Sequence, residues 1–187
     1  EKALLDLRKS KIEEQALKKG AQLPDFTLPN ASGELIRLSV LLKTGPVILT
    51  FYRGSWCPYC NLQLQFYQRY LDQFKKAGAE LVAITPEKPD LSLKMVKEQN
   101  LGYQVLTDAN NEYAKKLGLA FKLSNDLKKL YLEFGLDLEK SQGNKEWELP
   151  LPATYVVKGD RRVIYSFIDA DYKKRADPED ILKALKK

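Results

Sequence analysis

The stretch from Val47 to Cys60, VILTFYRGSWCPYC, constrains the fold more than any other part of the chain. Its first seven residues are an unbroken β-branched and aromatic run rather than an alternation, which predicts a central strand covered on both faces. From Pro58 the period changes, because Cys60, Leu64, Tyr67, Leu71 and Phe74 recur at helical spacing and trace one face. Gly78 then stands where a helix C-cap belongs. A buried strand turning directly into an amphipathic helix is the opening of a βαβ unit, and the chain continues in that manner. A strand over Glu80 to Thr85 precedes a helix near Asp90 to Asn100, and a shorter strand around Gln104 to Leu106 precedes another near Asn111 to Leu117. The sheet is therefore expected to be largely parallel.

Further elements flank this unit. Leu4 to Lys19 reads as one helix, and FTLPNASGELIRL, Phe26 to Leu38, as a short hairpin turning around Asn30 to Gly33. Ser124 to Phe134 reads as an extra helix capped by Ser124 and followed by a polar loop from Glu139 to Glu148. After LPLP come strands over Thr154 to Val157 and Val163 to Ile168, joined by the tight turn Lys158-Gly159-Asp160, which suits an antiparallel hairpin. Asp177 as N-cap, Pro178 at the first position and Asp180 in the first turn open a closing helix. The 187 residues are expected to form a single domain over 1–187, with 1–20 as a helical extension and a core large enough to need no staple.

Several function classes are unsupported. The chain has no histidine, so Ser-His-Asp and Cys-His catalysis and histidine-ligated metals are excluded. It carries neither a GxxxxGK[ST] phosphate loop nor a GxGxxG turn. No apolar run approaches the roughly 18 residues of a membrane span. The net charge of +6 is spread through short lysine pairs among 25 acidic residues, which reads as a solvated surface and not as a nucleic-acid interface. The start at Glu1 without methionine suggests an upstream segment removed, leaving the compartment open: cytoplasm is favoured, and periplasm if that segment was a signal peptide.

Both cysteines lie within WCPYC. Proline is favoured at the first helical position, so Pro58 makes Cys57 the N-cap and Cys60 the third helical residue. A thiolate at the N-cap is expected to accept from the Tyr59 or Cys60 amide and to feel the helix dipole, which can lower its pKa from about 8.5 to roughly 3.5–7.5. Cys60, on the apolar stripe, is expected to be buried and to keep its proton within bridging reach of Cys57. An inert pair is the plainer alternative, and a structural zinc site lacks its four ligands. Arg53, at the strand end, could polarise a peroxide bond or hold the thiolate; a solvated or ion-paired arginine is the alternative. Trp56 is expected beside the pair, shaping a substrate surface. Trp147, Tyr172 and Arg175 fall in loops and read more readily as satellite packing and surface charge.

These residues carry a family resemblance. WCPYC after a central strand and before an amphipathic helix resembles the thioredoxin superfamily, and Pro152 before Ala153-Thr154-Tyr155 resembles the cis-proline that faces the CxxC in that fold. LPDFTLPNASGE, FYRGSWCPYC, LPATYVV and DADYKKR, in that order from about Lys19 to the C-terminus, resemble the peroxiredoxin-like branch of the alkyl hydroperoxide reductase/thiol-specific antioxidant family. The resemblance implies an α/β, thioredoxin-like fold: a central mixed sheet flanked by helices, with an N-terminal helix and hairpin and an inserted helix near 124–134. Set against the peroxiredoxin pattern, Cys60 takes the peroxidatic position, Cys57 replaces a threonine, Arg53 replaces a proline, and Pro152 stands where an arginine is usual. The substitutions push the site toward disulfide exchange unless Arg53 supplies the missing cation. The Pro-Tyr dipeptide also equals that of glutaredoxins, which the surrounding chain does not follow.

The sequence is thus read as a cysteine-based thiol oxidoreductase cycling Cys57 and Cys60 between dithiol and disulfide. Reduction of hydroperoxides is placed first and disulfide exchange second; a redox-sensing or non-catalytic binding domain is the third reading. Cys57, Cys60 and Arg53 are the catalytic candidates, and Trp56, Pro152 and Thr154 the substrate-binding ones. No metal and no bound cofactor are required. The implied partners are a hydroperoxide or disulfide substrate and a thiol reductant such as thioredoxin or glutathione, with no nucleic acid and no membrane.

Overall fold

The first helix expected from the sequence is in fact broken in two. The computed structural model describes residues 2–186, and in it helix α1 (Lys2–Lys9) is separated from α2 (Ile12–Gln15) by Ser10 and Lys11. Ser10 Oγ donates back to the Leu7 carbonyl at 2.6 Å, and Lys11 adopts a left-handed φ of 56°. Helical periodicity alone does not register such a turn. The break redirects the chain so that Ile12 and Ala16 enter the main core, whereas α1 buries no residue fully. The hairpin forms as expected, with β1 (Thr27–Pro29) antiparallel to β2 (Leu35–Arg37). Asn30 Oδ1 organises its turn by accepting from the Ser32 and Glu34 amides at 3.0 and 2.9 Å. The short α3 (Leu38–Leu41) follows.

The predicted βαβ succession is present: β3 (Val47–Phe51), α4 (Pro58–Lys76), β4 (Glu80–Thr85), α5 (Pro89–Gln99), β5 (Gln104–Thr107), a 3₁₀ turn over Ala109–Asn111, and α6 (Glu112–Lys116). Next come β6 (Ala120–Lys122), α7 (Asn125–Glu133), α8 (Leu138–Gln142), β7 (Glu148–Pro150), β8 (Ala153–Lys158), β9 (Arg162–Ile168) and α9 (Pro178–Leu185). Five strands make the central sheet in the order β5-β4-β3-β8-β9; β3, β4 and β5 are parallel, and β8 and β9 run antiparallel to their neighbours. The sheet is mixed and flanked by helices. One expectation fails here, since the region expected as a polar loop contains α8 and enters β7, which pairs with β6. Asp137 caps α8 through the Glu139 and Lys140 amides, and buried Leu138, Trp147 and Leu149 anchor the segment beneath it. Strands of three residues are too short to reveal their alternation.

Strand β3 is buried along its whole length, and its side chains sort by parity. Val47, Leu49 and Phe51 join the core with α2, α6 and Leu106, while Ile48 meets Tyr67, Leu71 and Phe74 of α4 and Ile181 of α9. The α4 stripe continues into a third cluster in which Cys57, Cys60 and Leu64 pack with Tyr52, Ala83 and Met95. Truncation of a buried leucine such as Leu64 to alanine is expected to cost about 2–5 kcal/mol. The packing that stabilises α4 therefore also fixes where its first turn lies, at the C-terminal end of β3.

Candidate active site

Cys57 is the N-cap of α4 and Pro58 is its first residue. The Cys57 sulfur makes no capping hydrogen bond; the Cys60 amide is committed to the Cys57 carbonyl at 3.0 Å. Side chains outweigh the expected amide partner, and the Cys60 amide adds only the smallest of the contributions that lower the Cys57 pKa. Arg53 Nη2 donates to Cys57 Sγ at 3.3 Å, and the two cysteines approach to 2.6 Å while remaining free thiols. The Cys57 pKa is lowered to about 5, chiefly because the Cys60 thiol donates to it and then because of the charge and hydrogen bond of Arg53; burial opposes them. Cys60 shifts the other way: burial pushes its thiol well up, and its donation to Cys57 and the Cys57 charge add to the rise. The pair thus has one site for a negative charge and one for a proton.

Arg53 lies just past β3 and is only 7% exposed. A buried cation without a counter-ion is costly, yet the ion pairs of the described residues occupy Arg8 and Arg162 and leave Arg53 aside. Burial works against its charge and is the largest single influence, but Cys57, Tyr131 and Cys60 together outweigh it and raise the guanidinium pKa. Its plane is covered by Tyr172, 4.0 Å from ring centroid to Cζ, and flanked by Trp56 at 5.4 Å, while Nη1 donates to Tyr131 Oη at 3.3 Å. The loop between Arg53 and Cys57 is clamped from below by Glu87, which is fully buried and accepts from the Ser55 amide and hydroxyl at 2.7 and 3.0 Å. Burial raises the Glu87 pKa and these bonds restrain it. Gly54 adopts φ 155°, and a Cβ there would overlap the Trp56 ring and crowd the Glu87 carboxylate, so only glycine fits.

Cys60 has an arginine of its own. The turn Asp169 to Arg175 brings Arg175 Nη2 to 3.4 Å from Cys60 Sγ, and Arg175 Nη1 donates to Gln63 Oε1 at 3.2 Å. Gln63 in turn donates to Tyr67 Oη at 2.9 Å, and Tyr67 contacts Thr154 Oγ1 and the Ala176 carbonyl, each at 3.2 Å. Sequence reasoning placed Arg175 and Tyr172 among loop and surface residues; the structure puts both against the site. The nearest sequence signal was their place within DADYKKR. Trp147 does stay in satellite packing, buried with Leu123, Leu138 and Leu149.

The sequence candidates are thus only partly brought together. Cys57, Cys60, Arg53 and Trp56 converge. Pro152 lines the same cavity as Arg53 and Trp56, but the described residues contain no cis peptide bond, so the Leu151–Pro152 bond is trans and the expected cis-proline is not formed. This proline continues directly from β7 into β8, an extended passage that a trans bond accommodates. Thr154 does not face that cavity; it is 1% exposed and its hydroxyl bonds Thr50 and Tyr67 inside the sheet. The cavity measures about 650 Å³, and Arg53, Trp56, Leu4, Leu127, Phe134 and Leu151 are among the residues that line it. Helices α1 and α7 each contribute apolar side chains to it.

Residues 19–166 match the model of the AhpC/TSA family. The chain belongs to that family. Among relatives, it is 33% identical over 109 residues to a chloroplastic peroxiredoxin Q of Populus jackii, covering 58% of this chain and 51% of that one. With the chloroplastic peroxiredoxin Q of Sedum lineare it shares 32% over 121 residues, 65% of this chain and 64% of the relative. The chain therefore spans about half the length of the first and less than two thirds of the second. Its fold is that of the crystal structure of the peroxidoxin BcpB from Mycobacterium tuberculosis, with a TM-score of 0.72 at 24% identity over 91% of this chain and 97% of that one. As a member of the AhpC/TSA family it has a thioredoxin-like architecture.

Proposed function

We propose that this chain is a thiol-dependent peroxidase that reduces hydroperoxides through a dithiol–disulfide cycle of Cys57 and Cys60. The observation that carries this reading is the buried guanidinium of Arg53, which has no carboxylate partner among the described residues and donates to the Cys57 sulfur. The Cys57 thiolate attacks the terminal peroxide oxygen, an S–O bond forms as the O–O bond breaks, and the departing alkoxide or hydroxide takes up a proton. Arg53, aimed at the same point, stabilises the charge leaving on oxygen. Cys60 then condenses with the Cys57 sulfenic acid to a disulfide, releasing water. A dithiol such as thioredoxin, or glutathione, returns two electrons and two protons. The largely apolar cavity that Arg53 helps to line favours an organic hydroperoxide, whose carbon chain would lie against α1 and α7.

Disulfide exchange keeps one supporting observation, the placement of Cys57 at a helix N-terminus. In that version Cys57 attacks a disulfide sulfur, and Cys60 resolves the mixed disulfide. Stopped-flow mixing of the reduced protein with hydrogen peroxide, an organic hydroperoxide and an aromatic disulfide separates the two. A peroxide reaction far faster than that of a free thiol is the expected result. A rate no greater than a free thiol, together with fast reaction at the disulfide, would hand the function to exchange.

A further inference from the structure

Arg53 donates to only one of the two sulfurs, that of Cys57. The second sulfur is also served. Arg175 reaches Cys60 from a different part of the chain, the turn before α9, and none of the ion pairs among the described residues engages it. Its position is set from three sides. Gln63, one turn beyond Cys60 on α4, holds Nη1; the Ala176 carbonyl next to it accepts from Tyr67; and Asp177 caps α9 through the Glu179 amide at 2.8 Å. A merely solvated arginine has no need of such an arrangement, and Gln63 itself is buried.

We infer that Arg175 is the catalytic cation of the second half-reaction, stabilising the Cys60 sulfur as it gains charge and condenses with oxidised Cys57. The inference rests on the peroxidase reading above. In that step the Cys60 sulfur attacks the Cys57 sulfur; the S–S bond forms, the S–O bond of the sulfenic acid breaks, and the departing hydroxide takes the Cys60 proton and leaves as water. In the reduced pair the Cys60 proton is held by its bond to the Cys57 thiolate. Once Cys57 carries a neutral sulfenic acid that restraint is gone, and burial remains opposed by Arg175 first and Arg53 second. Arg53 is shared with the sulfur being attacked and with its leaving oxygen, whereas Arg175 is bonded to the attacking sulfur alone.

Single-turnover oxidation with one equivalent of peroxide, sampled for dimedone-trapped sulfenic acid and for disulfide by mass spectrometry, tests this. In Arg175→Gln and Arg175→Ala the condensation should slow by ~10²-fold, the range for loss of one charge-stabilising donor, so that Cys57 sulfenic acid accumulates where the wild type shows almost none. Arg175→Lys should recover part of the rate, since a charge returns without the planar fork. In a Cys57→Ser background, the pH midpoint for alkylation of Cys60 should rise by about one unit or more when Arg175 becomes Gln. Gln63→Leu, which removes the hold and keeps the arginine, should give a smaller change in the same direction, and it serves if the Arg175 variants fail to fold. Disulfide formation at the wild-type rate in these variants, or an unmoved Cys60 midpoint, overturns the inference and leaves the peroxidase reading standing. Absence of peroxide consumption in the wild type removes that reading itself, a different result.

Discussion

Cys57 and Cys60 share one helical turn, both are buried, and each has a guanidinium within 3.3–3.4 Å, yet they take opposite protonation states. The helix N-terminus is not the main cause, because the Cys60 amide adds the smallest of the contributions that lower the Cys57 pKa. The difference lies in what surrounds each sulfur. Cys57 receives a hydrogen bond from Cys60 as well as one from Arg53, while Cys60 gives its proton away toward Cys57 and is more deeply enclosed by Leu64 and its neighbours. A CxxC pair is therefore polarised here mainly by side chains, and each thiol should respond to its own arginine.

The sharpest way to break that comparison is to remove one sulfur at a time. Cys57→Ser should abolish rapid peroxide consumption, whereas Cys60→Ser should complete one turnover and stop at the sulfenic acid, as followed by peroxide consumed per protein; the reverse pattern would make Cys60 the attacking thiol. A smaller effect is expected from Arg53→Met, about 10²-fold on the peroxide step, with Arg53→Lys restoring only part of it. Unchanged stopped-flow rates in Arg53→Met would leave the Cys57 environment without its principal cation. Next comes labelling of the wild type: at pH 7 iodoacetamide should modify Cys57 before Cys60, and the Cys57 rate should fall only as pH drops through about 5, because a lowered pKa keeps the thiolate present above that value. Equal labelling in a mass-spectrometric time course would show that the two surroundings are not different enough. The mildest change belongs to Tyr172→Ala, which uncovers Arg53; loss of one cation–π contact should alter the peroxide rate by less than about tenfold.

How much of this could be read from the chain depends on distance along it. The strand, the proline and the α4 stripe are local patterns, and they located the pair and its fold correctly. Arg53 was visible because it lies four residues from Cys57. Arg175 is separated from Cys60 by 115 positions, and nothing in DADYKKR distinguishes an arginine aimed at a sulfur from one facing water. The buried Glu87 was missed for a similar reason: its partner is the Ser55 backbone, and backbone partners leave no mark on residue type. The break at Lys11, the short strands β6 and β7 and the trans bond before Pro152 depend on tertiary fit, which periodicity and family pattern do not encode.

The turn from Asp169 to Asp177 carries both the ring that covers Arg53 and the arginine that contacts Cys60. In engineering terms it is a cassette. Transplanting strand β3 and the start of α4 into another thioredoxin-like scaffold would carry over the two thiols and Arg53, and would leave behind the aromatic lid and one of the two charges. A graft that reproduces this site has to be discontinuous, joining one segment from the middle of the chain to another near its end.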